Sequence, residues 1–328
     1  MLGDGSVGYS KEESSMERAI TVCIPCYRDL AGLTDTISSL IGVLAEAPSI
    51  RCEFAIGLNH CDFGEGEVLE PFCDVENCLF SIVRSEVYLE YDHSLLLTIS
   101  QASEDVCLLM GCGDIARPGL GIAIEKFMDD SLKMGVLLVE HGTMNSPLDT
   151  PNYNWLPTSS GFFNKVLSGH LFDRKVLSEA AGDQLIGFEW GHVELAIRGA
   201  AIAGGKTSVI SQPVIWRSVN SNGWWKRTDI IKQYIEYCFL IDGYHKKYPD
   251  LSFPAVEARK SGGVRLLLTI LQARYNGFKE MPLFLLLWQE KHKVGKPLKM
   301  LIRMSFLIPR PLVRRCYKLL VLAVRLRR

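Results

Sequence analysis

Asp105-Val-Cys-Leu-Leu-Met-Gly-Cys-Gly-Asp-Ile-Ala-Arg-Pro-Gly119 is the stretch on which the reading of the fold turns. Its apolar run from Val106 to Met110 is short and bounded by Gly111, as a buried strand would be. At the end of that run stand two glycines, Gly111 and Gly113, and one carboxylate, Asp114. Open α/β sheets bind ligands in the crevice at the carboxyl ends of their strands. Glycines there let a phosphate or metal approach the backbone, and an Asp beside them offers a cation an oxygen ligand. The same residues also suit a plain turn closing a strand.

Working outward, strand and helix patterns alternate on both sides. Ala19 to Ile24 is β-branched and stops at Pro25, so it reads as the first strand, with Cys26 to Asp29 as a loop. Apolar residues at 33, 37, 40, 41 and 44 keep helical spacing. Phe54 to Leu58 and Leu79 to Val83 read as further strands, and Tyr91 to Ala102 as a helix feeding the central strand. Leu120 to Phe127 reads as a helix and Met134 to Val139 as a strand. Residues 141 to 158, rich in Asn, Pro, Ser and Thr, read as a loop long enough for a substrate role. Leu185 to Gly199 is expected to open a helix, Lys206 to Ile215 to be a strand, and Thr228 to Lys247 an amphipathic helix. The alternation predicts an α/β fold with a mostly parallel, doubly wound sheet.

Composition sets the outer limits. A chain of 328 residues with 48% hydrophobic and 22% charged side chains suits one large domain plus an appendage. Residues 1 to 17 lack periodicity and any apolar signal core, and read as a disordered leader. Of ten cysteines, Cys23 and Cys26 have Cys-x-x-Cys spacing, but no second pair completes a zinc set. Several others sit in apolar runs, so a reducing cytosol is expected.

The net charge of −1 conceals an asymmetry: from Ala258 to Arg328 there are 17 Lys and Arg against two acids, Glu280 and Glu290. That region therefore carries +15 and the rest of the chain −16. Its longest apolar run, Met281 to Trp288, is far below the roughly 20 residues of a membrane span. In a last helix, Leu312 to Arg328, the residues Arg314, Arg315, Lys318, Arg325 and Arg328 fall within an arc of roughly 140°. Leu312, Cys316, Leu319, Leu320, Ala323 and Val324 lie opposite, with Val321 and Leu322 as exceptions. A basic amphipathic helix of this kind suits an anionic membrane surface. Nucleic acid is not the expected partner, because long aliphatics rather than stacking aromatics interleave the charges.

The order of four stretches resembles the inverting family 2 glycosyltransferases of the GT-A fold. Thr21-Val-Cys-Ile-Pro-Cys-Tyr-Arg28 is similar to that family's opening strand, which usually ends Ile-Pro-x-Tyr-Asn. Ile56-Gly-Leu-Asn-His-Cys-Asp62 resembles its nucleoside-binding loop, Arg84 to His93 its next segment, and Leu108 to Gly119 its Leu-Leu-Gly-Asp-Asp-Asp motif. The resemblance spans about residues 18 to 220. It implies a nucleotide-sugar donor held by Pro25, Tyr27, Asn59, Asp62, Arg84, Gly113 and Asp114, with Asp114 as ligand to Mn²⁺ or Mg²⁺. The Asp-x-Asp triplet is here Cys112-Gly113-Asp114, with one carboxylate left, and Leu58 stands where the nucleoside loop usually has Asp.

The family's general base is an Asp at the start of a helix bearing Leu-x-x-Arg. Aligning Glu194-Leu-Ala-Ile-Arg198 on that pattern puts His192 on the Asp and Gly191 on the preceding Glu, with Glu189 three residues earlier. Either His192 or Glu189 could take a proton from a sugar hydroxyl. Trp190, Trp224 and Trp225 offer faces for sugar stacking. The resemblance implies transfer of a sugar to a carbohydrate or lipid-linked acceptor on the cytoplasmic side of a membrane, or binding without catalysis by a degenerate relative. A nucleotidyltransferase is not expected, since no Gly-rich basic phosphate loop follows the first strand. The expected organisation is a leader (1–17), a glycosyltransferase-like domain (18–227) and a basic helical C-terminal region (228–328).

Overall fold

A computed structural model describes residues 18–45, 47, 50–75, 78–141, 155–158, 161–164, 167–182, 185, 190–204 and 206–217, with single positions between 240 and 315. The elements are, in order, β1 (Arg18–Cys26), α1 (Leu30–Leu44), β2 (Ile50–Asn59), α2 (Glu65–Leu69), β3 (Cys78–Ser85) and α3 (Tyr91–Ile99). There follow β4 (Val106–Leu109), β5 (Asp114–Ala116), α4 (Leu120–Asp129), β6 (Met134–His141), β7 (Trp155–Thr158) and β8 (Gly161–Asn164). The chain goes on through β9 (His170–Asp173), α5 (Arg174–Gly182), α6 (Gly191–Ala203) and β10 (Thr207–Arg217). Eight strands form one sheet in the order β3-β2-β1-β4-β9-β6-β10-β5, and β7 and β8 form a separate hairpin.

Two faces of the sheet bury two cores. One holds Ile20, Val22 and Ile24 of β1 with Leu33, Ile37 and Leu40 of α1 and Ile124 and Phe127 of α4. The other holds Cys23 of β1 with Leu95 of α3, Leu177 of α5 and Val193, Leu195 and Ile197 of α6. Strands covered on both faces need apolar side chains at successive positions, which is why β1, β2 and β4 read as continuous runs. Helix α1 begins where Asp29 Oδ1 accepts the Gly32 N–H at 3.0 Å, a side-chain N-cap. Helix α3 lies so near the sheet that a Cβ on Gly57 of β2 would stand 2.0 Å from Thr98 Oγ1, so only glycine fits there.

Four of the seven ladders in the sheet are parallel, which agrees with the expected mostly parallel α/β fold. The departures are at the centre, where β9 enters antiparallel between β4 and β6, and at one edge, where β5 runs antiparallel to β10. An antiparallel neighbour needs no crossover helix, and β9 follows directly on a turn at Ser168-Gly169, with Gly169 at φ +91°. The expected loop 141–158 contains the last residue of β6 and all of β7. The expected helices at 228–247 and 312–328 fall almost wholly outside the described residues, as does the leader. Leu240, Tyr244 and Lys247 are helical, with Leu240 and Tyr244 buried, as one face of the former helix requires.

Candidate active site

After β4 the chain reverses through Gly111-Cys112-Gly113. Asp114 donates its N–H to the Gly111 carbonyl at 3.0 Å, and Gly113 takes the left-handed φ of +89° that the turn demands. The Gly113 N–H is donated to Thr36 Oγ1 of α1 at 2.9 Å, fixing the turn to the first helix. Asp114 then opens β5 with its carboxylate buried. Ser168 Oγ donates to Asp114 Oδ2 and accepts the Gly111 N–H at 2.7 Å. A buried carboxylate is costly unless hydrogen-bonded, so Ser168 is part of what keeps Asp114 in place.

From Ser168 the site continues along β9. Gly169 donates its N–H to the Leu109 carbonyl, and His170 is fully buried with Nδ1 3.0 Å from the Leu167 carbonyl oxygen. A carbonyl only accepts, so His170 carries its proton on Nδ1. Burial pulls its pKa down to about 4, against a smaller upward pull from that bond, so it is neutral at ordinary pH. The His170 ring lies 6.4 Å, centroid to centroid, from that of His192 in the first turn of α6. His192 is buried too: its Nδ1 is 3.0 Å from Tyr91 Oη, and Trp190 is tilted against it at 5.8 Å. The segment from Ser168 to His170, which sequence reading passed over, thus bonds Asp114 at one end and sets its His170 ring near His192 at the other.

The residues expected at the donor nucleotide gather at the ends of β1, β2 and β3. Pro25 lies in β1 opposite Gly57 of β2. Tyr27 stands edge-on to Tyr88 at 5.6 Å, and the Arg28 guanidinium lies 5.5 Å above the Tyr27 ring. Asn59 is buried and clamps the next loop from both sides, donating to the Leu89 carbonyl and accepting the Leu89 N–H, each at 2.8 Å. Asp62 is exposed on the loop after β2. Arg84 spends its fork on protein: it donates to the carbonyls of Phe63 at 2.8 Å and Cys61 at 3.2 Å, and to Glu86 at 2.7 Å. Asn59 and Arg84 therefore brace the loops that follow β3 and β2, respectively. Cys112 ties this end to the Asp114 turn, with its Sγ 3.6 Å from Cys26 Sγ and donating to the Asp29 carbonyl at 3.4 Å. Cys23 and Cys26 face different cores, so the Cys-x-x-Cys spacing brings no pair together, and the described cysteines are free.

Glu189, Trp224 and Trp225 lie outside the described residues. Within them, no group of three His, Cys, Asp or Glu side chains is placed to hold a metal ion. Among the described residues Asp114 is not part of a three-ligand cluster. A single carboxylate is compatible with Mg²⁺, which commonly keeps phosphates and waters and takes only one or two protein carboxylates.

No family model matches the chain, and no curated protein sequence matches it. Solved structures do. The chain is similar to S. aureus TarS 1–349 in complex with UDP-GlcNAc, with a TM-score of 0.54 at 9% identity over 92% of this chain and 91% of that one. Another structure of TarS 1–349 gives a TM-score of 0.51, also at 9% identity, with the same coverage of both chains. The mannosyltransferase PcManGT from Pyrobaculum calidifontis, in complex with GDP-Man and Mn²⁺, gives 0.50 at 12% identity over 94% of this chain and 86% of that one. At such identities the likeness is one of fold, and the fold is the Rossmann-like α/β type, GT-A in kind, that the order of the sequence motifs implies.

Proposed function

We propose that this chain is an inverting glycosyltransferase that moves a sugar from a nucleotide donor to a hydroxyl of a carbohydrate or lipid-linked acceptor. One observation carries the reading: in the short segment Ser168-Gly169-His170, Ser168 hydrogen-bonds Asp114 while the His170 ring lies 6.4 Å from that of His192, whose Nδ1 meets Tyr91 Oη. This arrangement supports a site in which Asp114 and His192 act on the same bound donor and acceptor. The solved structures of similar fold support the donor class, since their own ligands are UDP-GlcNAc and GDP-Man.

In this reading His192 or Glu189 accepts the proton of the acceptor hydroxyl as it attacks the anomeric carbon, and the nucleoside diphosphate leaves from the opposite face. Tyr27, with Pro25, Asp62 and the loops that Asn59 and Arg84 hold, receives the nucleoside. Asp114 and the Gly113 turn meet the diphosphate. A divalent cation, Mn²⁺ or Mg²⁺, would be held by Asp114 and would offset charge on the leaving group. The basic region 228–328 would keep the enzyme on the anionic inner face of a membrane, in the cytoplasm and near a surface-glycan acceptor. No described helix is long and apolar enough to cross a bilayer.

A second reading, a catalytically degenerate relative that binds sugar nucleotide or partner enzymes, is favoured by the single carboxylate at Cys112-Gly113-Asp114. Calorimetry with UDP-GlcNAc and with GDP-mannose, each with and without Mn²⁺, separates donor binding from none. NMR of the product's anomeric configuration then decides between inversion and retention. His192→Gln and Glu189→Gln identify the base, whose loss lowers turnover about 10²–10⁴-fold. Donor binding without turnover under any acceptor would favour the degenerate relative, and absence of nucleotide-sugar binding would remove both readings.

A further inference from the structure

The first turns of α3 and α6 meet through two adjacent pairs of residues. Tyr91 Oη lies 3.0 Å from His192 Nδ1, and the two rings stand edge to face with centroids 5.7 Å apart. One residue along α3 and one back along α6, Asp92 Oδ1 accepts the Gly191 N–H at 2.8 Å. Gly191 makes this approach possible, because a Cβ there would stand 2.6 Å from Asp92 Oδ1 and 2.9 Å from Leu185 Cδ1. At this position the family that the sequence resembles carries a glutamate. Here the position is bare, and the carboxylate of Asp92 occupies the space from the neighbouring helix.

A neutral histidine acts as a base only through the nitrogen that carries its lone pair, and the partner of the other nitrogen selects which one that is. We propose that Tyr91 is the positioning residue for His192: a phenol can donate or accept, and with His192 as base its oxygen accepts the Nδ1–H and leaves the lone pair on Nε2. Asp92 fixes the backbone one residue earlier, so the ring is held both in place and in tautomer. The proposal rests on the reading of His192 as the base. It differs from an ordinary packing role for Tyr91 in requiring the oxygen as well as the ring.

The chain has seven histidines, few enough for selective ¹⁵N labelling to report each tautomer by NMR, with His192→Gln marking the His192 signal by its loss. In the wild-type protein, neutral His192 should be protonated on Nδ1 and unprotonated on Nε2. Tyr91→Phe keeps the ring and deletes only the oxygen, and it should turn His192 into a mixture of both tautomers. Turnover should then fall about 10- to 100-fold with the donor KM little changed, the usual cost when a partner that orients a histidine is lost. A proton on Nε2 in the wild type, or an unaltered tautomer in Tyr91→Phe, would overturn the proposal, and the wild-type measurement alone decides should the variant not fold. Unchanged turnover in His192→Gln would instead remove the base assignment, and the tautomer result would still stand or fall by itself.

Discussion

Ser168 donates its hydroxyl to Asp114 across 54 residues of sequence, and the same oxygen accepts the N–H of Gly111. One small side chain therefore holds both ends of the turn that presents the carboxylate. Ser168→Ala should leave a buried carboxylate and a buried N–H each short of a partner, costing about 1–3 kcal/mol of stability. Asp114→Asn keeps the shape and loses the charge, so it should abolish the Mn²⁺-dependent part of nucleotide-sugar binding while Ser168→Ala only weakens it. Calorimetry paired with urea unfolding separates the two effects. Equal donor affinity in all three proteins would take Asp114 out of the site.

His170 links the fold to pH. Burial holds its pKa at about 4 in the folded chain, against an ordinary value of 6.5. Between those values the unfolded state binds the proton and the folded state does not, so stability rises with pH through this window. The contribution is fully present above about pH 6.5 and is lost as pH falls towards 4, with a total of a few kcal/mol. The comparison to make is with His170→Asn, whose amide can donate to the Leu167 carbonyl without taking a proton. Its unfolding free energy should fall less steeply from pH 7 to pH 4 than that of the wild type. Parallel curves would mean that His170 is not the neutral, buried group described.

Much of the framework is legible in sequence, for a physical reason. Strands β1, β2 and β4 are covered on both faces and so are apolar at nearly every position, and α1 buries Leu33, Ile37, Leu40 and Leu44 at helical spacing. Strand β9 is not legible: it has four residues, and its first, His170, is a polar side chain at a fully buried position. Strand β5 hides inside what reads as a turn, being three residues long. Asp114 announces itself as a carboxylate closing an apolar run, whereas Ser168 becomes its partner only through a long-range contact that local pattern does not carry. Tyr91 and Asp92 are hidden in the same way, since 101 and 99 residues separate them from His192 and Gly191. A histidine between apolar neighbours, as in Leu167-Ser-Gly-His-Leu-Phe172, is the one local signal that could have drawn notice to β9.

The Leu-x-x-Arg pattern of α6 has a structural account that predicts a measurable loss. Glu194 and Arg198 are both buried and form an i,i+4 ion pair, and Tyr244 Oη joins them, donating to Glu194 and accepting from Arg198 Nε at 2.7 Å. Arg198 also donates to the Ala180 carbonyl of α5 at 3.0 Å. Burial, and then the bond to Glu194, push the Tyr244 phenol up, so it stays protonated. Breaking a buried charged network by removing one partner is costly, because the remaining charges stay buried. Tyr244→Phe should lower the unfolding free energy by about 1–3 kcal/mol without changing the m-value. No change in the denaturation midpoint would show that water replaces the phenol at this place.

The C-terminal region makes the last prediction. Met300, Met304 and Leu307 are helical and 62%, 44% and 82% exposed, and their i, i+4, i+7 spacing puts them on one face; Arg303 and Arg315 of the same region are also exposed. An apolar stripe beside basic side chains, in a segment of +15 overall, suits the surface of an anionic bilayer. Each basic residue near such a surface is worth about 1 kcal/mol, an attraction that fades within a Debye length. The methionine and leucine side chains would add a part that salt does not screen, so high salt should weaken attachment without erasing it. The body, at −16, is repelled by the same surface, which would turn the site away from the lipid plane. Flotation with phosphatidylglycerol vesicles should carry the intact chain and leave behind one truncated after Leu298, while vesicles of phosphatidylcholine alone should carry little of either. Equal flotation of both chains, or no preference for the anionic lipid, would mean that these residues serve packing or a protein partner instead of a membrane.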